Sequence, residues 1–181
     1  MGLTVKDLEK IQAKLEDAYR LELVEGEIIV MPPSGYESDE VAAEFTRQIG
    51  NWVRPRKLGR VTGAGAGFIL PNCDTRAPDV SFVRAERLPR SPQGFAPLVP
   101  DLVVEVKSPS DRLATLRSKI DSFLQQGTQV GILVNPEERW VEVRRWQTEP
   151  LQLQDGDILT LPDLLPGWQL AIADLWAPVF E

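Results

Sequence analysis

Along this chain, stretches in which apolar residues recur every three or four positions alternate with stretches in which they recur every second position, which predicts a mixed α/β domain. Leu8, Ile11 and Leu15 form the first helical stripe, and Thr4 is placed to cap it. The segment YRLELVEGEIIVMPPS then alternates apolar and polar residues on either side of Glu25-Gly26, the pattern of a hairpin, which Pro32 and Pro33 end. Val41, Phe45, Ile49 and Trp52 return at helical spacing, so a helix from about Glu37 to Val53 should lay this stripe on a sheet. Strands are expected around APDVSFV and DLVVEV, separated by a polar, proline-containing excursion from Glu86 to Pro100. Another helix carries Leu113, Leu116, Ile120, Phe123 and Leu124 on one face, with Ser110 or Asp111 to cap it and Gly127 to end it. TQVGILVNP and RWVEVRRW read as strands joined by a turn at Pro136-Glu137-Glu138, and the tail holds short elements up to an apolar turn near Leu175.

Composition then narrows the chemistry. A chain of 181 residues with 43% hydrophobic content suits one domain, residues 1–181, with a real core. No apolar run reaches the ~20 residues that span a bilayer, and the first helix is too charged for a signal peptide, so a soluble, cytoplasmic protein is expected. The single cysteine, Cys73, excludes an internal disulfide and a thiolate-rich metal site, and reads as a loop thiol in a reducing compartment. Histidine is absent, which removes histidine triads, histidine-ligated zinc and imidazole acid-base chemistry. Carboxylate, lysine, arginine and hydroxyl chemistry remain. A net charge of −7 argues against a protein coated in positive potential, although a local basic groove is compatible with an acidic body. The glycines of GRVTGAGAGFILPN lead into a strand pattern rather than a helix N-terminus, so they read as a bend between strands and not as a phosphate loop.

The most informative stretch is VPDLVVEVKSPSD, residues 99–111. On a strand, Leu102, Val104 and Val106 point one way while Val103, Glu105 and Lys107 point the other. A strand apolar on both faces that ends in Glu105 and Lys107 brings charge to the margin of a core, where it must be paired or bound to a metal. A second acid, Asp79, follows Pro78, a residue that cannot donate in a ladder and so marks a strand's start, where Asp79 can face a cleft. Taken singly, Glu105 and Lys107 also read as an ion pair at a strand end, and Asp79 as a turn acid. Taken together, two convergent carboxylates suggest a Mg²⁺ site, with a lysine beside it to move a proton or stabilise charge on phosphorus.

The Pro-Asp and Glu-Val-Lys constellation resembles the PD-(D/E)XK nuclease superfamily. The ordered set ELVEGEIIVMPPSG, TGAGAGFILPN, RAPDVSFV, PDLVVEVKSPSD and KIDSFLQQGTQVGILVNPEERWVEVRR resembles the Uma family of restriction endonuclease-like proteins over nearly the whole chain. That resemblance implies a restriction endonuclease-like core, a central mixed β-sheet flanked by helices, with an N-terminal helix and hairpin. It implies Mg²⁺-dependent (or Mn²⁺-dependent) hydrolysis of DNA phosphodiesters, with Asp79 and Glu105 as metal-binding carboxylates, the Val106 carbonyl as a further ligand and Lys107 as the catalytic lysine. Glu37 and Lys119 match supporting positions; Glu37 reads equally as a helix N-terminal acid and Lys119 as a solvated helix lysine. Many relatives follow the acid at Glu37 with a histidine, where this chain has Ser38. A homodimer is a further implication. Arg54, Arg56, Lys57 and Arg60, and separately Arg139, Arg144 and Arg145, either hold phosphates or serve as helix-end and surface charge. The five tryptophans fit packing or a subunit interface. The competing class is a non-catalytic binding or assembly protein that retains the nuclease-like core.

Overall fold

A computed structural model describes residues 2–15 and 19–180. The first helix, α1 (Val5–Lys14), opens with a capping box between Thr4 and Asp7, and Leu15 lies just past its end, partly exposed. The hairpin forms β1 (Arg20–Val24) and β2 (Glu27–Met31), with Glu25 and Gly26 at φ 52° and 81°. Positive φ at both central residues is what a two-residue turn of the strands' own twist requires. The second helical stripe forms α2 (Tyr36–Arg56), which ends at Lys57 in the left-handed conformation.

Next along the chain are five strands: β3 (Gly59–Gly63), the short β4 (Phe68–Ile69) and β5 (Thr75–Arg76), β6 (Val80–Arg84) and β7 (Leu102–Val106). The glycine-rich segment is a bend between β3 and β4, as expected. Helix α3 (Leu113–Gln125) starts from Arg112. The expected cap, Asp111, instead accepts hydrogen bonds from the Ser108 amide at 2.9 Å and the Ser108 hydroxyl at 2.7 Å, closing the turn that leaves β7. Both acceptor bonds point back along the chain, so helix entry falls to a residue without a capping side chain. Then come β8 (Val130–Asn135) and β9 (Trp140–Arg144), with β10 (Leu151–Gln154), β11 (Ile158–Thr160), β12 (Gln169–Ala171) and a 3-10 turn (Ile172–Leu175) in the tail.

Six strands make the central mixed sheet in the order β10-β9-β8-β7-β6-β3. Only β7 and β8 are parallel, and α3 is the crossover that parallel neighbours need. The alternation along β7 divides the core as its sequence implied. Leu102, Val104 and Val106 pack with Val41, Phe45 and Ile49 of α2 and with the tail, through Trp168 and Leu175. Val103 packs on the other face with Phe123 of α3 and Phe68 of β4. A four-stranded sheet, β2-β1-β5-β4, covers that second face, and α1 packs outside it through Leu8 against Leu21 and Leu23. No helix is long and apolar enough to cross a membrane among the described residues.

The seat of α3 on the sheet depends on Gly131 in β8, where an added Cβ would come within 2.2 Å of Ile120 Cγ2. Ile120 is fully buried, so the helix itself would have to shift. Gly131→Ala is therefore expected to destabilise the protein by about 1–3 kcal/mol, the usual effect of overpacking, read as a lower denaturant midpoint at unchanged m.

Candidate active site

Strands β6 and β7 are antiparallel, with Val80 opposite Val104 and Ser81 opposite Val103. Carrying that register one position further sets Asp79 opposite Glu105, on the face that also holds Ser81 and Val103. Pro78 starts this strand, so Asp79 stands at its entrance. Its Oδ2 accepts the Val106 amide at 2.8 Å, tying the first acid to the strand that carries the second. In an extended residue the amide and carbonyl point to the same edge, so the Val106 carbonyl is turned toward Asp79 as well. Glu105 is buried, and Asp79 is partly so.

The cation beside Glu105 is Lys119, from α3. Its ammonium lies 3.1 Å from Glu105 Oε1 and 3.0 Å from Glu22 Oε1, and donates to the Ala77 carbonyl at 2.9 Å. Glu22 Oε1 also accepts the Ala77 amide at 3.0 Å. Glu22 and Lys119 thus grip Ala77 by its amide and its carbonyl, two residues ahead of Asp79. Lys119 is buried, so it is neither solvated nor extended toward the surface. Glu22 was not among the candidates read from sequence. It sits between Leu21 and Leu23 in a strand that alternates apolar and polar residues, a pattern that ordinarily turns the polar face to water. Here that face is roofed by the central sheet and α3.

Lys107 follows the last residue of β7. Its ammonium donates to the Ser108 carbonyl at 3.3 Å and to Glu137 at 3.2 Å, in the turn between β8 and β9. Glu137 is 74% exposed. Lys107 makes no ion pair with Asp79 or Glu105, the contact that Lys119 makes with Glu105 instead. Glu37 is exposed in the first turn of α2 and has no ion pair or hydrogen bond with Asp79, Glu105, Lys107 or Lys119. A further cation, Arg20, donates to the Ala64 carbonyl at 2.9 Å and draws the pKa of Asp79 downward.

The electrostatics follow from burial. Glu105 is pushed up to about 8, chiefly because burial disfavours its charged form; Lys119 opposes this, while Asp79 and Glu22 add to it. Burial also raises Asp79, against the Val106 amide, Lys119 and Arg20. Burial alone would lower Lys119, but Glu105 and Glu22 outweigh it and hold the ammonium charged. Glu105 Oε1 is buried, and the Lys119 ammonium at 3.1 Å is its close polar neighbour. Among the described residues, no group of three or more carboxylate, cysteine or histidine side chains is arranged to hold a metal ion. Any ion here would therefore rest on two carboxylates, a backbone carbonyl and water, a set that suits Mg²⁺.

Comparison with known proteins agrees with this core. Residues 5–173 match the model of the Uma2 family, described as "Putative restriction endonuclease". No curated protein matches the chain. A crystal structure described as a "putative nuclease belonging to DUF820", from Anabaena variabilis, is 27% identical over 96% of this chain and 97% of that one, with a TM-score of 0.81. A cryo-EM structure of a DrdV–DNA complex aligns with 76% of this chain and 13% of its own at 12% identity, and its TM-score of 0.38 is too low to bear on fold or ligand. The sheet order, the helices on its two faces and a family match over residues 5–173 lead to one conclusion: this chain belongs to the Uma2 family of restriction endonuclease-like proteins.

Proposed function

We propose that this protein is a nuclease that hydrolyses DNA phosphodiester bonds with Mg²⁺ or Mn²⁺ held by Asp79, Glu105 and the Val106 carbonyl. The observation that carries the reading is the convergence of Asp79 and Glu105 on one face of neighbouring strands, with Asp79 tied to the Val106 amide of the strand that carries Glu105. When bound, the ion supplies Lewis acidity to a phosphoryl oxygen and lowers the pKa of an attacking water. The protein's own side chains hold the geometry. Val106 fixes Asp79 through its amide, and Lys119 offsets the charge of Glu105 and Glu22 so that the acids stay together. Lys107, at the open end of the sheet, is the group that moves a proton or stabilises charge on the phosphoryl oxygens. For this its ammonium leaves Glu137, a largely exposed partner whose hold is weak in water. Glu37 supports the mouth of the site from the start of α2. Two copies of the chain, each cutting one strand, would cleave a duplex.

One feature favours a non-catalytic core instead: Lys119 already compensates the buried acids without a metal. Titration calorimetry separates the two readings. Mg²⁺ or Mn²⁺ uptake by the wild type, lost in Asp79→Ala and Glu105→Ala, is expected; no heat with either ion, together with no cleavage of single-stranded, duplex or branched DNA, would leave the scaffold reading. Lys107→Ala should keep metal uptake while slowing cleavage by about 10²-fold or more, the usual contribution of a positioned acid or base.

The raised pKa of Glu105 sets a pH dependence. Its folded-state value of about 8 lies above the ordinary 4.5, so the proton it retains stabilises the fold fully below about 4.5 and that contribution is lost as pH rises through 8. Metal must displace this proton, so apparent Mg²⁺ affinity is expected to climb by up to about tenfold per pH unit below 8 and then level off. Calorimetry at pH 6, 7 and 8 reads this directly, and a flat profile would exclude Glu105 as a ligand.

Removing the cation instead leaves buried acids uncompensated. Lys119→Met should cost about 3–5 kcal/mol in denaturant melts. Part of that loss should be recovered by Mg²⁺ or by lowering the pH, because either neutralises the same carboxylates.

A further inference from the structure

A large groove lies outside the acid cluster. It has a volume of about 1160 Å³ and runs along β3, the edge strand of the central sheet, between α1 and α2 on one side and the loop from Ser91 to Ala96 on the other. One end is cationic. Although the chain carries a net charge of −7, Arg54, Arg56, Lys57 and Arg60 stand together where α2 runs into β3, and none has a carboxylate within ion-pair distance among the described residues. Arg54 and Arg60 line the groove, whose one acidic side chain among the described residues is Glu9; Arg47, also on the wall, is neutralised by Glu44. Arg60 donates to the carbonyls of Leu88 at 2.8 Å and Pro89 at 2.6 Å, neutral acceptors that fix its guanidinium without cancelling the charge. Some arginines elsewhere are ion-paired, Arg139 with Asp155 and Arg144 with Asp121 and Glu142, whereas others, such as Arg20 and Arg84, bond to neutral acceptors as Arg60 does.

The other end stops at Thr62 and Ser81, short of the acid cluster. Thr62 and Ser81 line the groove with their hydroxyl oxygens 2.6 Å apart, and Ser81 stands two residues from Asp79 on the same face of the chain. Between the two ends the backbone is bare. Gly50, Gly65 and Gly94 line the groove, none has a positive φ, and a Cβ on any of them would meet nothing within 4 Å. The fold needs no glycine at these places, least of all at Gly50 inside α2, where alanine is the better helix former. Their effect is to let another backbone approach closely.

We propose that this groove carries a single nucleic-acid strand, its phosphates on the Arg54 and Arg60 corner and its course directed past Thr62 and Ser81 toward Asp79. The proposal deepens the nuclease reading and rests on it for the direction of the strand. Charge complementarity selects the ligand: unpaired cations beside an uncovered backbone groove suit a phosphodiester chain.

The test is fluorescence anisotropy of a labelled single-stranded oligodeoxythymidylate with the full chain in EDTA. Arg54→Glu and Gly50→Leu are each expected to weaken binding about tenfold or more, and Arg54→Gln to lower the log–log salt slope by about 0.7. Arg54 is exposed, so its variants remain informative if Gly50→Leu folds poorly. Failure of the wild type to bind, or unchanged binding in Arg54→Glu and Gly50→Leu, overturns the groove. So does sedimentation showing a wild-type dimer that Gly50→Leu splits while oligonucleotide affinity is unaltered, since a second copy would then be the occupant. Groove-dependent binding in a protein that takes up no metal supports the groove and defeats the nuclease reading alone.

Discussion

A buried ammonium ion must be compensated where it lies, and in this protein that requirement joins three layers of structure at one point. Lys119 projects from α3, Glu105 from the central sheet and Glu22 from the covering sheet, and none of these charges could be left alone in the interior without a penalty of several kcal/mol. The same ammonium and Glu22 hold the Ala77 peptide on both of its polar groups, which fixes the approach to Asp79. Hydrophobic packing on β7 is non-directional and would tolerate small slips of one layer on another. The ion cluster is directional, and it sets how the hairpin layer sits over the acids.

The two lysines near the motif stand in different surroundings. Lys119 is buried, held by three oxygen partners, and acts through the carboxylates it neutralises. Lys107 lies at the end of the sheet, its side chain mostly buried and its partner Glu137 solvent-exposed. The difference comes from position along the elements: Lys119 is one turn before Phe123 on the inner face of α3, whereas Lys107 stands one residue past the end of β7.

Much of this architecture follows from pattern. The alternation in VPDLVVEVKSPSD assigns Leu102, Val104 and Val106 to the α2 face and Val103 and Glu105 to the α3 face, because a strand has only two sides. Glu25-Gly26 made a hairpin because its strands alternate and glycine accepts positive φ. The glycine-rich segment was separable from a phosphate loop because it runs into Phe68-Ile69-Leu70-Pro71, a strand pattern. The cap of α3 was misplaced by sequence, since Asp111 and Ser110 carry the right chemistry and only the turn after β7 decides which backbone amide Asp111 reaches.

Periodicity along the chain thus determined the elements, their buried faces and the ends of two strands where acids collect, since these depend on neighbours a few residues apart. It could not determine that Glu22 turns inward, that Lys119 rather than Lys107 meets Glu105, or that Arg54 and Arg60 line one groove with Thr62 and Ser81. Each of those depends on which surfaces a folded chain brings together across many residues of sequence. A charge on a strand reads as solvent-facing until another layer covers it, and only tertiary packing supplies that layer.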